Sequence, residues 1–299
     1  MRTLERGCAA AVAALSVVLT AGAFTAPRAA ARPAPATPRG PMLAAPRPWA
    51  GAARRAAGLL PPGQRSRGAV PPGQPGLPGA ARDAIDSYNW AGYAAARTGT
   101  AFRSVRAAFF VPYVDCHATP GASSSDWVGL DGLGSASVEQ IGVAAGCAGS
   151  RPQYYAWYEM YPKTVRRVFP VHPGNAITAS VRFQPGRRKF VLNVRDISSG
   201  RQLRRALRCA AQTCGRSSAE VISEAPSSAA GKILPLADYR AAGFSAVAVG
   251  TARHRSGLRS RWWRTYRVVG VGRISHQVIQ QPSALYQGRA FGTYWFRAR

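Results

Sequence analysis

The chain is poor in acids and nearly devoid of lysine. Its 299 residues carry 40 basic side chains against 12 acidic ones, for a formal net charge of +28, and lysine occurs only at positions 163, 189 and 232. No stretch of ten residues keeps a 3.6-residue apolar period, which excludes a helical bundle or an α/β fold. The one long apolar run, Cys8 to Thr20, is shorter than the ~20 residues a bilayer span requires. Signatures of the common hydrolases are missing as well. There is no Gly-x-Ser-x-Gly elbow, no His-Glu-x-x-His pair and no Asp-Thr/Ser-Gly loop, since Asp131-Gly132 follows Leu130. Gly129-x-x-Gly132-x-Gly134 has no βαβ setting in which to hold a phosphate. The four histidines are dispersed, and cysteine spacing matches no zinc pattern, so neither metal nor cofactor is expected.

What is present begins with an export signal. Arg2 and Arg6 precede the apolar run, and the small residues Ala21-Gly22-Ala23 and Phe24-Thr25-Ala26 follow it at cleavage spacing, which predicts a signal peptide over 1–26 and a secreted product. Residues 27–85 are Pro, Ala, Gly and Arg, with Pro61-Pro62-Gly63-Gln64 repeated as Pro71-Pro72-Gly73-Gln74. Such a segment has too little apolar surface to offset its chain entropy. It reads as a propeptide, or alternatively as a linker through a cell wall. Cys8 leaves with the signal. The remaining Cys116, Cys147, Cys209 and Cys214 allow three pairings. An even count in an exported chain favours Cys116–Cys147 and Cys209–Cys214 over free thiols.

Residues 86–299 read as one monomeric domain with period-two patterning. Ile177, Ala179, Val181 and Phe183 alternate with polar residues, Gln184-Pro185-Gly186-Arg187 turns the chain, and Phe190, Leu192 and Val194 alternate again as a hairpin. Phe244, Ala246 and Ala248 continue the pattern, as do Tyr266 to Gly272 and Thr293 to Arg297. Many short strands between Gly/Pro turns predict an all-β sandwich or barrel.

Four segments carry candidate chemistry: Asp126-Trp127-Val128-Gly129-Leu130-Asp131-Gly132, Ser137-Val138-Glu139-Gln140-Ile141-Gly142-Val143, Ala156-Trp157-Tyr158-Glu159-Met160-Tyr161-Pro162 and Ser218-Ala219-Glu220-Val221-Ile222-Ser223-Glu224. On strands, Glu220, Ile222 and Glu224 share one face, and Tyr155, Trp157, Glu159 and Tyr161 share one face. Three aromatics and an acid in a row suit a cleft for extended peptide. Peptide hydrolysis needs a base toward water, a donor for the oxyanion and an acid for the leaving amine. A carboxylate can be base and then acid, and an amide N–H can hold the oxyanion.

In this order the four segments resemble the glutamic peptidases, or eqolisins, from about Tyr88 to Asp238 and more loosely to the C-terminus. The resemblance implies two large antiparallel sheets packed face to face, with a site on a concave face. It places the catalytic pair on Gln140 and Glu224 and a tryptophan N–H at Trp127. It also makes Trp157, Glu159 and Tyr161 lining residues of a protein- or peptide-binding groove, with Asp131 expected beside them. Glu220 is the alternative acid. The chain departs from the pattern at Ala144 and Tyr155, where relatives usually carry Asp, and at Val221, where they carry a large aromatic. The rival reading is a non-catalytic sandwich that binds polysaccharide or another polyanion. It rests on Arg253-His254-Arg255-Ser256-Gly257-Leu258-Arg259-Ser260-Arg261-Trp262-Trp263-Arg264. Because the bases are otherwise scattered, a nucleic-acid partner is not expected.

Overall fold

The computed structural model describes residues 84–299 except 100 and 229. The expected signal peptide and nearly all of segment 27–85 lie outside the described residues. The chain forms β1 (Ala84–Ser87), β2 (Trp90–Ala96), β3 (Ser104–Phe110), β4 (Ser123–Leu130), β5 (Val138–Ala148), β6 (Arg151–Tyr161), β7 (Arg166–Pro170) and β8 (Ala176–Gln184). It continues with β9 (Lys189–Asp196), β10 (Gln202–Leu207), β11 (Ser218–Glu224), β12 (Ala241–Gly250), β13 (Arg255–Ser256), β14 (Arg264–Val271), β15 (Val278–Pro282) and β16 (Phe291–Trp295). Among the described residues the single helical element is a 3-10 turn at Pro185–Arg187, closed by Arg188 in the left-handed region (φ 49°). It is the predicted Pro-Gly hairpin turn between β8 and β9.

The strands hydrogen-bond in the order β10-β9-β8-β3-β12-β16-β15-β14-β2-β11-β4-β5-β6-β7, antiparallel throughout this path, with β1 added parallel to β14. This is the expected sandwich of two packed antiparallel layers, joined into one ladder that doubles back, so that β8 and β9 of one limb pack on β4 and β5 of the other. Between the two layers sits a core that includes Val128, Leu130, Ile141, Val143, Val181, Leu192 and Val221. Burying such aliphatic side chains stabilises the fold by about 1.5–3 kcal/mol each, and this fixes which side of β4, β5 and β11 faces inward.

One alternation differs from its sequence reading. A bulge lies between Ser245 and Ala248 of β12, with Ala246 at φ 49°. Beyond it Val247 and Val249 point into the core, and Ala246 is exposed. The extra residue lets the larger β-branched side chains take the buried positions. Both expected disulfides are formed, Cys116–Cys147 with Cα atoms 5.4 Å apart and Cys209–Cys214 at 5.9 Å. The first ties the approach to β4 to the end of β5, and the second closes the loop before β11.

Candidate active site

Strand register builds the site, because residues directly across a ladder share a face. One row runs Tyr155 (β6), Ala144 (β5), Ser125 (β4), Glu224 (β11) and Trp90 (β2). The next runs Trp157, Gly142, Trp127, Ile222 and Gly92, and the third Glu159, Gln140, Gly129, Glu220 and Ala94. The four segments therefore lie side by side on the face of the β2-β11-β4-β5-β6 layer that points away from the core. A cleft of about 270 Å³ opens there, and its lining includes Ser125, Ala144, Tyr155, Trp157, Glu159 and Glu224.

Trp127 lies flat on this face because two neighbours lack side chains. A Cβ on Gly142 would fall 2.6 Å from the Cβ of Trp127, and one on Gly129 would fall 2.9 Å from the indole ring. Trp90 packs edge-on against Trp127 with centroids 4.9 Å apart. So held, Trp127 Nε1 donates to Glu224 Oε2 at 2.8 Å. Glu224 Oε1 accepts from Asn89 Nδ2 at 3.0 Å, and Asn89 is itself fixed by Ser87 Oγ, which donates to its Oδ1. Glu224 is 1% exposed. Burial, with the neighbouring Glu159 charge second, pushes its pKa up to about 8, against the opposing pull of the Trp127 and Asn89 N–H donors.

Gln140 and Glu159 face each other across β5 and β6, and Gln140 Nε2 donates to Glu159 Oε2 at 2.6 Å. The Gln140 carbonyl oxygen is buried and has no hydrogen-bond partner. Trp157 Nε1 donates to Ser125 Oγ at 2.9 Å, which sets the indole as a cleft wall. Trp157, Glu159 and Glu224 line the cleft, Trp127 contacts Glu224, and Gln140 contacts Glu159.

Three expected or weighed residues sit elsewhere. Asp131 does not line the cleft. It ends β4 in the left-handed region (φ 66°), is fully buried, and accepts from the backbone amides of Arg216 at 2.7 Å and Ser217 at 2.8 Å. Its carboxylate organises the approach to β11 rather than a substrate. Tyr161 shares the face but packs against the aromatic cluster beyond the cleft lining. Glu220 is fully buried outside the lining, and burial pushes its pKa well above the ordinary value. The Arg/Trp-rich segment also stands apart from the cleft. There His254 stacks on Trp262 at 3.6 Å, and Arg261 lies over the same ring at 4.5 Å.

Asn89 is the Glu224 contact that sequence reasoning passed over. Its partner is 135 positions away, and a lone Asn between Tyr88 and Trp90 reads as a turn residue.

The peptidase A4 family model matches residues 88–270, more than half of the chain. The fold is similar to that of scytalido-glutamic peptidase crystallised with a transition-state analogue inhibitor (TM-score 0.60, 20% identity, covering 70% of this chain and 98% of that one). It is also similar to SCP-B, described as a member of the eqolisin family in a complex with the tripeptide Ala-Ile-His (TM-score 0.57, 20% identity, 70% and 98% coverage). Aspergilloglutamic peptidase from Aspergillus niger aligns at TM-score 0.50 and 19% identity, covering 58% of this chain and 99% of that one. No curated protein sequence matches the chain significantly.

Proposed function

The chain belongs to the peptidase A4 family, and we propose that it is an exported endopeptidase that cuts peptide bonds with Gln140 and Glu224 in the acidic range. One observation carries this reading: a buried carboxyl, Glu224, held by two N–H donors at the cleft wall, with a second carboxyl that grips the amide of Gln140 beside it.

Two neighbouring carboxyls release their protons in separate steps, because the first charge opposes the second. The second release is late, since Glu224 keeps its proton up to about pH 8. Between the two steps the pair holds one proton and exchanges it. With Glu224 ionised, its carboxylate takes a proton from water as the water oxygen bonds to the substrate carbonyl carbon. The carbonyl oxygen becomes an oxyanion. Gln140 Nε2 has two hydrogens, one committed to Glu159 and one left for that oxyanion. Glu224 then passes its proton to the amide nitrogen, the C–N bond breaks, and an acid and an amine leave. No step requires a cofactor.

Gln140→Ala should lower kcat by about 10²–10³-fold on a quenched peptide, as loss of one oxyanion donor does elsewhere. Undiminished turnover in that variant would remove Gln140 from the mechanism.

The pair can also be tested through its titration. Asn89→Ala deletes a donor that favours the carboxylate, so the pKa of Glu224 should rise by about one unit and the alkaline limb of the kcat/KM profile should move up with it. Glu159→Gln removes the partner that takes the shared proton, so activity in acid should be lost and should return only as Glu224 ionises at higher pH. A Glu159→Gln profile like that of the wild type would break the shared-proton assignment.

A further inference from the structure

The peptidase reading leaves the substrate open, and the distribution of charge narrows it. Residues 84–299 contain ten carboxyl side chains, and eight of them are buried: Asp126, Asp131, Glu139, Glu159, Asp196, Glu220, Glu224 and Asp238. The other two, Asp86 and Asp115, are half-buried. The described surface therefore presents arginines with almost no counter-charge, a field that concentrates anionic chains near the protein.

At the cleft this field has a defined contact point. Arg167 of β7 pairs with Trp157 of β6, beside a register shift, and its guanidinium carbon lies 4.1 Å from the centre of the Tyr155 ring. Tyr155 and Trp157 both line the cleft. A guanidinium held over a ring keeps in-plane N–H groups with which it can meet a carboxylate by two parallel hydrogen bonds. Arg167 is exposed, and no ion pair engages it among the described residues. Its basic neighbours are Arg166, which precedes it, and Arg201, which donates to the carbonyl of Pro170, the residue paired with Tyr155, while the carboxyls of the same cleft lining are Glu159 and Glu224.

Resting on the peptidase reading, we propose that Arg167 and Tyr155 form a subsite for an acidic side chain, and that the substrates are acidic polypeptides. Distance adds the position of that residue. Tyr155 and Glu224 stand in one cross-strand row, separated by Ala144 and Ser125, whose small side chains form a low floor. Three strand spacings are about 14 Å, which extended peptide covers in about four residues. The acidic residue should therefore lie three to four residues from the cut bond.

The test uses quenched peptides that differ only by Glu or Gln, with the substitution moved one position at a time along both sides of the cut. With the wild type at pH 5.5, one position three to four residues away should favour Glu by about five-fold in kcat/KM, the upper range for an exposed ion pair. The preference should fade at pH 3, where the peptide Glu is protonated. In Arg167→Gln the Glu/Gln ratio at that position should fall to about one, a ratio insensitive to any general loss of folded enzyme. In Arg195→Gln, on the outward face of β9, the ratio should persist. A flat scan, or a preference that survives in Arg167→Gln, would overturn the subsite. If the wild type cut no peptide at all, the peptidase reading would fail separately. The subsite would then be judged by whether the Glu peptide binds the protein more tightly than its Gln twin at pH 5.5, with equal affinities counting against it.

Discussion

Glu224→Gln is expected to abolish peptide hydrolysis while leaving a folded protein. The amide cannot take a proton from water and cannot return one to the leaving nitrogen, so both acid–base steps are lost together. The fall should be at least about 10³-fold. The fold should survive because the amide is the neutral isostere of the protonated carboxyl already held there in acid. Its oxygen can still accept from Trp127 Nε1, now 2.8 Å from Glu224. One donor, Asn89 Nδ2 or Trp127 Nε1, loses its acceptor, a cost of about 1–3 kcal/mol for a buried polar group. A buried group that resists ionisation has been removed in exchange, so near neutral pH the variant should be at least as stable as the wild type. Circular dichroism and thermal melts beside the activity assay separate the two effects. Retained activity in Glu224→Gln with loss in Glu220→Gln would move the catalytic acid four residues back along β11.

Those two glutamates show how far strand patterning reaches. Alternation alone put Glu220 and Glu224 on one face, and it put Trp157 with Glu159, because period two is set by the pleat and needs no tertiary information. It could not rank the two acids. The ranking depends on Asn89, just before β2, and on Trp127 of β4, and β2 and β4 come to flank β11 only in the folded sheet. Asp131 misled for a related reason. Period two from Trp127 and Gly129 puts it on the cleft side, but a left-handed backbone at this one residue turns the carboxylate toward the amides of Arg216 and Ser217. A bulge had the same effect at β12, where one additional residue reversed the expected faces beyond Ser245. The two packed layers were legible, but their joining into one ladder was not, since a continuous ladder and two separate sheets have the same alternation. What local sequence encodes is which side chains are co-facial; which of them meet is decided by partners about a hundred positions away.

The carboxyls that make the surface so one-signed also set the pH range of the fold. Burial pushes the pKa of Asp126 up to about 7, opposed by the Ser223 hydroxyl that donates to it, and that of Glu224 up to about 8. Burial likewise raises Glu139, helped by the nearby Asp131 charge, and Glu220 well above their ordinary value. A carboxyl whose folded pKa exceeds its unfolded one binds its proton more tightly in the native state. Its contribution is complete below about pH 4, is withdrawn as pH climbs from there to the folded value, and then levels. Asp126 and Glu224 each withdraw on the order of 4 kcal/mol over that window, and together they approach the whole stability of a typical domain. Asp115 works in the opposite sense, since backbone amides, Ala118 first, lower its pKa, but it acts only below the ordinary Asp value of 3.8. The melting temperature should therefore fall by on the order of 20 °C between pH 4.5 and pH 8. Asp126→Asn and Glu224→Gln should each flatten that fall, and the double variant should flatten it most. The acidic optimum proposed for activity then has a structural counterpart, because the alkaline enzyme loses its fold as well as its proton. Calorimetry at pH 4.5, 6 and 8 measures this directly, and a melting temperature that rose across the range would mean that these four carboxyls are ionised in the folded protein.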